Sequence, residues 1–313
     1  MTNETNGILI VDKPQDMTSA RVISRIKRIS GINKIGHTGT LDPMATGVMI
    51  CTINRATRLS RFFLACPKKY AAVLKLGIET DTLDATGNIL ATHPIGAVSE
   101  HAVRDACKQF EGEIDQVPPA YSALKHNGVP LYKYARNGIS VTKPPRKVFI
   151  SYIKIIDINL PEIRFEAECS SGTYIRSLCA DIGNMLGCGG HLKTLKRIKC
   201  GGFDVEEAMP LADIESHQYL ESFNDRLISM SDALSEMTAY VADNDLMEKI
   251  KYGKNIALTD IKIDIPIDTP TNMRDAAGNP IIKIIDDKNQ LLAVLSPNES
   301  DGRYNYCCVF HNP

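Results

Sequence analysis

Asp42 lies in the segment GHTGTLDPMATG, which runs from Gly36 to Gly47. Glycines let a backbone approach a ligand closely, and Pro43 pushes the residue before it into extended geometry. A carboxylate presented in that way can attack an electrophilic carbon or stabilise a developing oxocarbenium ion. Asp-Pro is also an ordinary way to open a turn, so the segment alone leaves both readings open. It is not a phosphate-cradling loop, because no Gly-Lys-Ser/Thr closes it. Other reactive types are scattered. The nine cysteines include no pair at C-x-x-C spacing, and Cys307 and Cys308 are adjacent, which argues against a disulfide framework and a sulfur-rich zinc site. Reduced, mostly buried thiols are expected instead.

The elements that must hold Asp42 can be read on both sides of it. Gly7–Asp12 is an apolar strand ending at Lys13-Pro14. Thr18 or Ser19 caps a helix with Val22, Ile23, Ile26 and Ile29 at helical spacing and Gly31 as its stop. The whole of Gly36–Gly47 reads as loop, with a strand resuming at Val48–Ile53. A helix over Ala56–Leu64 leads to an alternating strand through Leu76, and Ser99 caps a helix carrying Val103, Ala106, Cys107 and Phe110. Residues 118–147, rich in proline, tyrosine and basic groups, read as an excursion from the core. Strands follow at Val148–Ile158 and Ile163–Cys169. A helix after Ser171-Gly172-Thr173 then presents Ile175, Leu178, Ile182 and Leu186 and stops at Gly187. Residues 211–245 have helical character and read as a connector. Ile256–Leu258, Ile281–Ile285, Leu291–Leu295 and Cys307–Phe310 are short strands of a small β-barrel-like module.

At 313 residues, with 43% hydrophobic and 23% charged residues, the chain is an ordinary globular protein of one large and one small domain. No apolar run reaches the roughly 18 to 20 residues that cross a bilayer, and the N-terminus lacks a basic region followed by a secretory core. A cytoplasmic location without membrane association is expected. The net charge of −1 conceals an asymmetry. Residues 1–210 carry 27 Lys+Arg against 20 Asp+Glu, and residues 211–313 carry 9 against 17. A basic body with an acidic tail can attract phosphates over one part only.

The motifs, taken in order, resemble those of the bacterial tRNA pseudouridine-55 synthase (TruB) family. GHTGTLDPMATG resembles its catalytic-aspartate motif, and ILIVDKPQDMTS (8–19) its N-terminal DKP motif. KKYAAVLKLGIETDTLDATG (68–87) is similar to the segment bearing its active-site tyrosine. PPAYSALKHNGVPLYKYARNG (118–138) looks like its RNA-gripping insertion. SSGTYIRSLCADIGNMLGCGGHLKTLKRIKCGGF (170–203) resembles its arginine and leucine motifs. The likeness covers residues 7–210 closely and the tail more loosely, as a PUA-like RNA-binding module. Asp16, where the motif commonly has glycine, and Asn54-Arg55, in place of a glycine, depart from the pattern; asparagine still tolerates a left-handed backbone.

The resemblance implies an α+β fold: a catalytic domain over 1–240 around a mixed, largely antiparallel sheet flanked by helices, with residues 118–147 inserted, and a PUA-like module over 241–313. It implies conversion of uridine 55 in the tRNA T-loop to pseudouridine, with no cofactor and no metal, by a monomer that needs no protein partner. Asp42 is then the nucleophile, with attack on the sugar or on the uracil ring left open. Tyr70 stacks on the uracil and shuttles the sugar's 2′ proton. Arg176 keeps Asp42 ionised, while Leu195 and Tyr174 line the site and His37 sits near the everted base. Lys13, Arg58, Lys125, Lys133 and Arg136 are expected phosphate contacts. Two alternatives accompany this reading: a tRNA-folding chaperone with secondary catalysis, and a guide-RNA-dependent relative. A sugar-phosphate enzyme rests on glycine richness alone.

Overall fold

The computed structural model describes residues 5–96, 98–216, 223–263, 273–275 and 278–310. A ten-stranded sheet forms the body. Along its main path the order is Met209–Pro210, Gly7–Lys13, Thr46–Ile53, Gly190–Cys200, Lys68–Leu76, Glu162–Cys169, Arg146–Asn159 and Gly112–Gln116. Ile35–Thr38 pairs with Thr46–Ile53, and Phe203–Asp204 with Gly190–Cys200. Gly7–Lys13 runs parallel to Met209–Pro210, and Thr46–Ile53 parallel to Gly190–Cys200; the other pairings are antiparallel. The sheet is thus mixed and largely antiparallel, as expected.

Strand periodicity explains why GILIV is apolar without interruption. Side chains alternate between faces, and both faces are covered here. Leu9, Val11, Met49 and Cys51 pack against Val22, Ile23 and Ile26 of the helix Ser19–Ser30. Ile8, Ile10, Val48 and Ile50 face the other way, onto Phe62 and Phe63 of the helix Ser60–Ala65. Thr18 is the N-cap of the first helix, accepting from the Arg21 N–H at 3.2 Å, and Gly31 ends it with φ of 69°. Farther along the sheet, Tyr70, Ala72, Leu74, Phe165 and Ala167 pack against the helices Glu100–Gln109 and Ile175–Met185. Gly183 lets the second of these lie directly on the sheet, since a Cβ there would come within 2.4 Å of the Gly189 and Gly190 backbone.

Three elements differ from the sequence reading. The loop bearing Asp42 is shorter than Gly36–Gly47, because the strands Ile35–Thr38 and Thr46–Ile53 run in from either side. Gly190–Cys200, the parallel partner that seats this loop, carries two register shifts that break strict alternation, so its period is not visible in the sequence. Among the described residues, 211–216 and 223–245 do not form one continuous helix. Among the described residues they hold the short helix Leu211–Ile214, single turns at Asn224–Arg226 and Asp232–Leu234, and the strand Ala239–Val241. Local side-chain bonds compete with helix there: Ser229 Oγ donates to Asp232 Oδ2 at 2.7 Å and accepts from the Asp232 N–H at 3.0 Å.

A second sheet of five strands, in the order Ala239–Val241, Ile282–Ile285, Leu291–Asn298, Arg303–Val309 and Ile256–Ala257, forms a curled C-terminal module with the helix Asn244–Lys251. Its other apolar residues, among them Leu291, Val294, Cys308 and Phe310, join the cluster that contains Ile8, Ile10, Phe62 and Phe63.

Candidate active site

The turn that carries Asp42 is tied down at each end. Its carbonyl accepts from the Ala45 N–H at 3.1 Å, which closes a tight turn with Pro43 in the second position. Ser19 Oγ accepts from the Leu41 N–H at 3.0 Å and donates to the Leu41 carbonyl at 3.3 Å. The Lys13 ammonium donates to the carbonyls of Pro14 at 2.8 Å, Met17 at 2.5 Å and Pro43 at 3.1 Å. Past the turn, Gly47 has φ of +103°, and a Cβ there would stand 2.1 Å from the Arg197 carbonyl oxygen. The parallel seam between the loop and Gly190–Cys200 therefore closes only on glycine.

Arg176 stands in the first turn of the helix Ile175–Met185 and meets Asp42 side-on. Its Nε donates to Asp42 Oδ2 at 2.8 Å and a terminal nitrogen to Asp42 Oδ1 at 3.1 Å. Two further N–H groups donate to the carbonyls of Thr82 and Tyr121, each at 2.9 Å. The guanidinium side chain is 3% exposed and the Asp42 side chain 32%, so the charge is locked inside while the carboxylate faces the cleft. A fork held at four points fixes the carboxylate in one orientation.

Asp84 completes the cluster, and reading the motifs did not single it out. Its Oδ2 lies 3.8 Å from Arg176 Nε. Its Oδ1 accepts from the Thr82 hydroxyl at 2.7 Å, the Thr86 N–H at 2.9 Å and the Thr86 hydroxyl at 2.6 Å. The segment TDTLDATG does carry a signal: an aspartate flanked by threonines can bond its own turn and still turn one oxygen inward.

Asp42 opens into a cleft of about 840 Å³ lined by His37, Lys68, Tyr70, Ser122, Tyr174, Arg176, Leu195 and Arg197, among others. That volume suits a nucleoside. Tyr70 and Leu195 lie on adjacent strands, Leu195 opposite Ala72 in register. Burial raises the Tyr70 hydroxyl above the usual tyrosine range, against the opposing charge of Arg197, so it is protonated at neutral pH. His37 is pushed below the ordinary histidine range, first by burial and then by Arg197, which leaves a neutral imidazole whose Nδ1 is buried without a hydrogen-bond partner. Tyr174 caps the Arg176 helix; Gln116 accepts from its N–H at 2.7 Å and donates to its carbonyl at 3.0 Å, while Arg146 covers its ring at 4.8 Å. Lys68 donates to the carbonyls of Leu64 and Cys66, and burial lowers its pKa.

The expected phosphate contacts divide. Arg136 lines the cleft and packs on the Tyr132 ring at 5.4 Å. Lys125 and Lys133 are exposed on the excursion, on the hairpin Lys125–His126/Val129–Pro130 and the helix Leu131–Arg136. Lys13 departs from expectation: it is fully buried, its ammonium is occupied by three carbonyls, and burial pulls its pKa down to about 8. Its work is to hold the Asp42 turn. Arg58, which is exposed, donates to the Val309 carbonyl at 2.5 Å and covers the Phe310 ring at 5.5 Å, joining the body to the C-terminal module. Asp16 and Asn54 both adopt the left-handed backbone, with φ of 60° and 50°. Among the described residues, no cluster of His, Cys, Asp or Glu is arranged to hold a metal ion, and no helix is long and apolar enough to cross a membrane.

Residues 27–175 match the N-terminal domain of the TruB family of pseudouridylate synthases, and residues 176–241 match the tRNA pseudouridylate synthase B C-terminal domain. Together these define a pseudouridine synthase. The chain is 45% identical to the tRNA pseudouridine synthase B of Syntrophotalea carbinolica, over 79% of this chain and 81% of that one. It is 39% identical to the protein of that name from Haemophilus influenzae, over 81% and 82%. The chain belongs to the TruB family. Its fold is similar to a chain in a crystal structure of a Cbf5–Nop10–Gar1 complex, at 26% identity and a TM-score of 0.71 over 93% of this chain and 78% of that one. It is likewise similar to a chain of the archaeal box H/ACA sRNP Nop10–Cbf5 complex, at 26% identity and a TM-score of 0.69 over 93% and 79%.

Proposed function

We propose that this protein isomerises uridine 55 in the T-loop of tRNA to pseudouridine, without a cofactor and without a guide RNA or protein partner. The observation that carries the reading is the carboxylate of Asp42, clamped by Arg176 and facing a cleft that also holds Tyr70 and Leu195. The reaction breaks the C1′–N1 bond of uridine and makes a C1′–C5 bond. N1 gains a proton and C5 loses one, so no oxidant or metal is required. Asp42 is assigned the nucleophile, acting at C1′ or on the ring. Tyr70 supports the everted base and exchanges the 2′ proton in a glycal-like route. Leu195, Tyr174 and His37 are assigned to the walls of the base site, and Arg136, Lys125 and Lys133 to the phosphates. Similarity to curated tRNA pseudouridine synthase B proteins exceeds that to the Cbf5-containing structures, which favours tRNA and independent action over guided action.

The same reading assigns residues 1–240 to catalysis, with 118–147 gripping RNA, residues 241–313 to a PUA-like module, and the monomer to the cytoplasm. The test is incubation of the purified protein with unmodified tRNA, and with an isolated T-arm stem-loop, followed by mapping of pseudouridine. Product at position 55 of both, lowered at least about 10⁴-fold by Asp42→Asn with tRNA affinity kept, is expected. Absence of product, or product only with added guide RNA, would overturn it.

A further inference from the structure

Arg197 is, by volume, the largest of the fully buried side chains, and the assignments above give it no task. A guanidinium inside a protein is ordinarily matched by a carboxylate. Arg197 instead bonds two backbone carbonyls. Its Nε donates to the Val48 carbonyl at 2.6 Å and a terminal nitrogen to the Gly39 carbonyl at 3.1 Å. These carbonyls belong to the two arms of the Asp42 loop. A Cβ on Gly39 would lie 3.3 Å from its other terminal nitrogen, so glycine makes room for the guanidinium. Across the strand register Arg197 is paired with Tyr70, and both side chains line the cleft.

We infer that Arg197 is a positioning residue for Tyr70: held by both arms of the Asp42 loop, it donates an N–H to the phenol oxygen and thereby turns the phenol's own proton into the cleft. A tyrosine hydroxyl has one proton to give and lone pairs to receive, so a donor fixed behind the oxygen decides where that proton points. The positive charge of Arg197 acts on the hydroxyl, opposing the effect of burial. The same side chain fixes the spacing between the loop of Asp42 and the strand of Tyr70, because it bonds one and abuts the other. Arg176 and Arg197 then divide the labour: the first orients the carboxylate, the second the phenol.

The inference rests on the reading under Proposed function, and its test separates the two. Single-turnover pseudouridine formation and tRNA affinity are measured for the wild type, Arg197→Met, Arg197→Lys, Tyr70→Phe and the Arg197→Met/Tyr70→Phe double variant. In parallel, the ¹³Cζ tyrosine resonances are assigned by comparison with Tyr70→Phe. With tRNA affinity held within about threefold, Arg197→Met is expected to slow the wild type about 100-fold and Tyr70→Phe less than threefold, because coupled residues are not additive. Arg197→Lys, which keeps one donor and the charge, is expected to be about tenfold slow, and the Tyr70 resonance to move in Arg197→Met. Equal losses in both backgrounds, an unmoved resonance, or wild-type rate in Arg197→Lys would overturn the inference. Should Arg197→Met not fold, Arg197→Lys alone and with Tyr70→Phe supplies the same comparison. A wild type that makes no pseudouridine while the resonance still moves would instead remove the proposed function and leave the hydrogen bond standing.

Discussion

At the scale of single residues, Arg176 joins Asp42 by two side-chain bonds and is itself fixed by two more to backbone. Lysine would keep the charge but cannot fork onto two carboxylate oxygens while also serving Thr82 and Tyr121. Arg176→Lys should therefore lower the single-turnover rate about 10²–10³-fold and stability by about 1–3 kcal/mol, read from a time course of product and a urea melt. His37 gives a prediction with a definite sign. Its folded pKa is depressed below 6.5 by burial and by Arg197, so below that value the unfolded chain binds more protons than the folded one. The contribution of a neutral His37 is complete above pH 6.5 and is lost as pH falls through its folded pKa. The melting-temperature advantage of the wild type over His37→Gln should accordingly shrink between pH 7 and pH 5. An advantage that grows on acidification would show that the ring is charged in the fold.

At the scale of elements, backbone geometry at two positions sets the strongest constraints. Gly47→Ala puts a Cβ into the Arg197 carbonyl at a φ that alanine avoids, and should destabilise the protein by at least about 3 kcal/mol in denaturant titration. Asn54 holds its left-handed turn and donates from its amide to the Thr5 carbonyl at 2.7 Å. Asn54→Ala should cost about 1–2 kcal/mol by the same measurement. What could be read from sequence follows from how local each signal is. Caps at Thr18 and Ser99, the stops at Gly31 and Gly187, and the alternation of Lys68–Leu76 depend on a few neighbouring residues, and the structure has them. The strand Gly190–Cys200 was hidden by its bulges, and the described part of 211–245 misled because Ser229 and Asp232 bond each other locally instead of extending a helix. In the site, Asp42, Tyr70 and Arg176 were legible through long contiguous motifs, and the structure brings them to one cleft. The burial of Lys13 and the distant engagement of Arg58 were not, because a lysine or arginine reads alike whether its partner is a phosphate, a carbonyl or an aromatic ring.

At the scale of the whole molecule, charge and burial are unevenly placed. The exposed Lys125 and Lys133 are outside the cleft lining, each next in sequence to a residue that lines it, Leu124 and Tyr132. If each neutralises one phosphate, changing it to alanine should lower the slope of log affinity against log salt by about 0.7–0.9, with little effect on single-turnover rate at saturating tRNA. Filter binding between low and moderate salt reads this directly, and an unchanged slope would assign the contact elsewhere.

The cluster that joins Ile8, Ile10, Phe62 and Phe63 to Leu291, Val294, Cys308 and Phe310 makes the tail part of the interior of the body. A chain stopped after residue 240 would bare that seam to water, including a face of the strand that leads into Lys13 and, through it, the Asp42 turn. The acidic end of the protein is thus a keel as well as an appendage: cut away, it would be missed first as solubility and only afterwards as turnover.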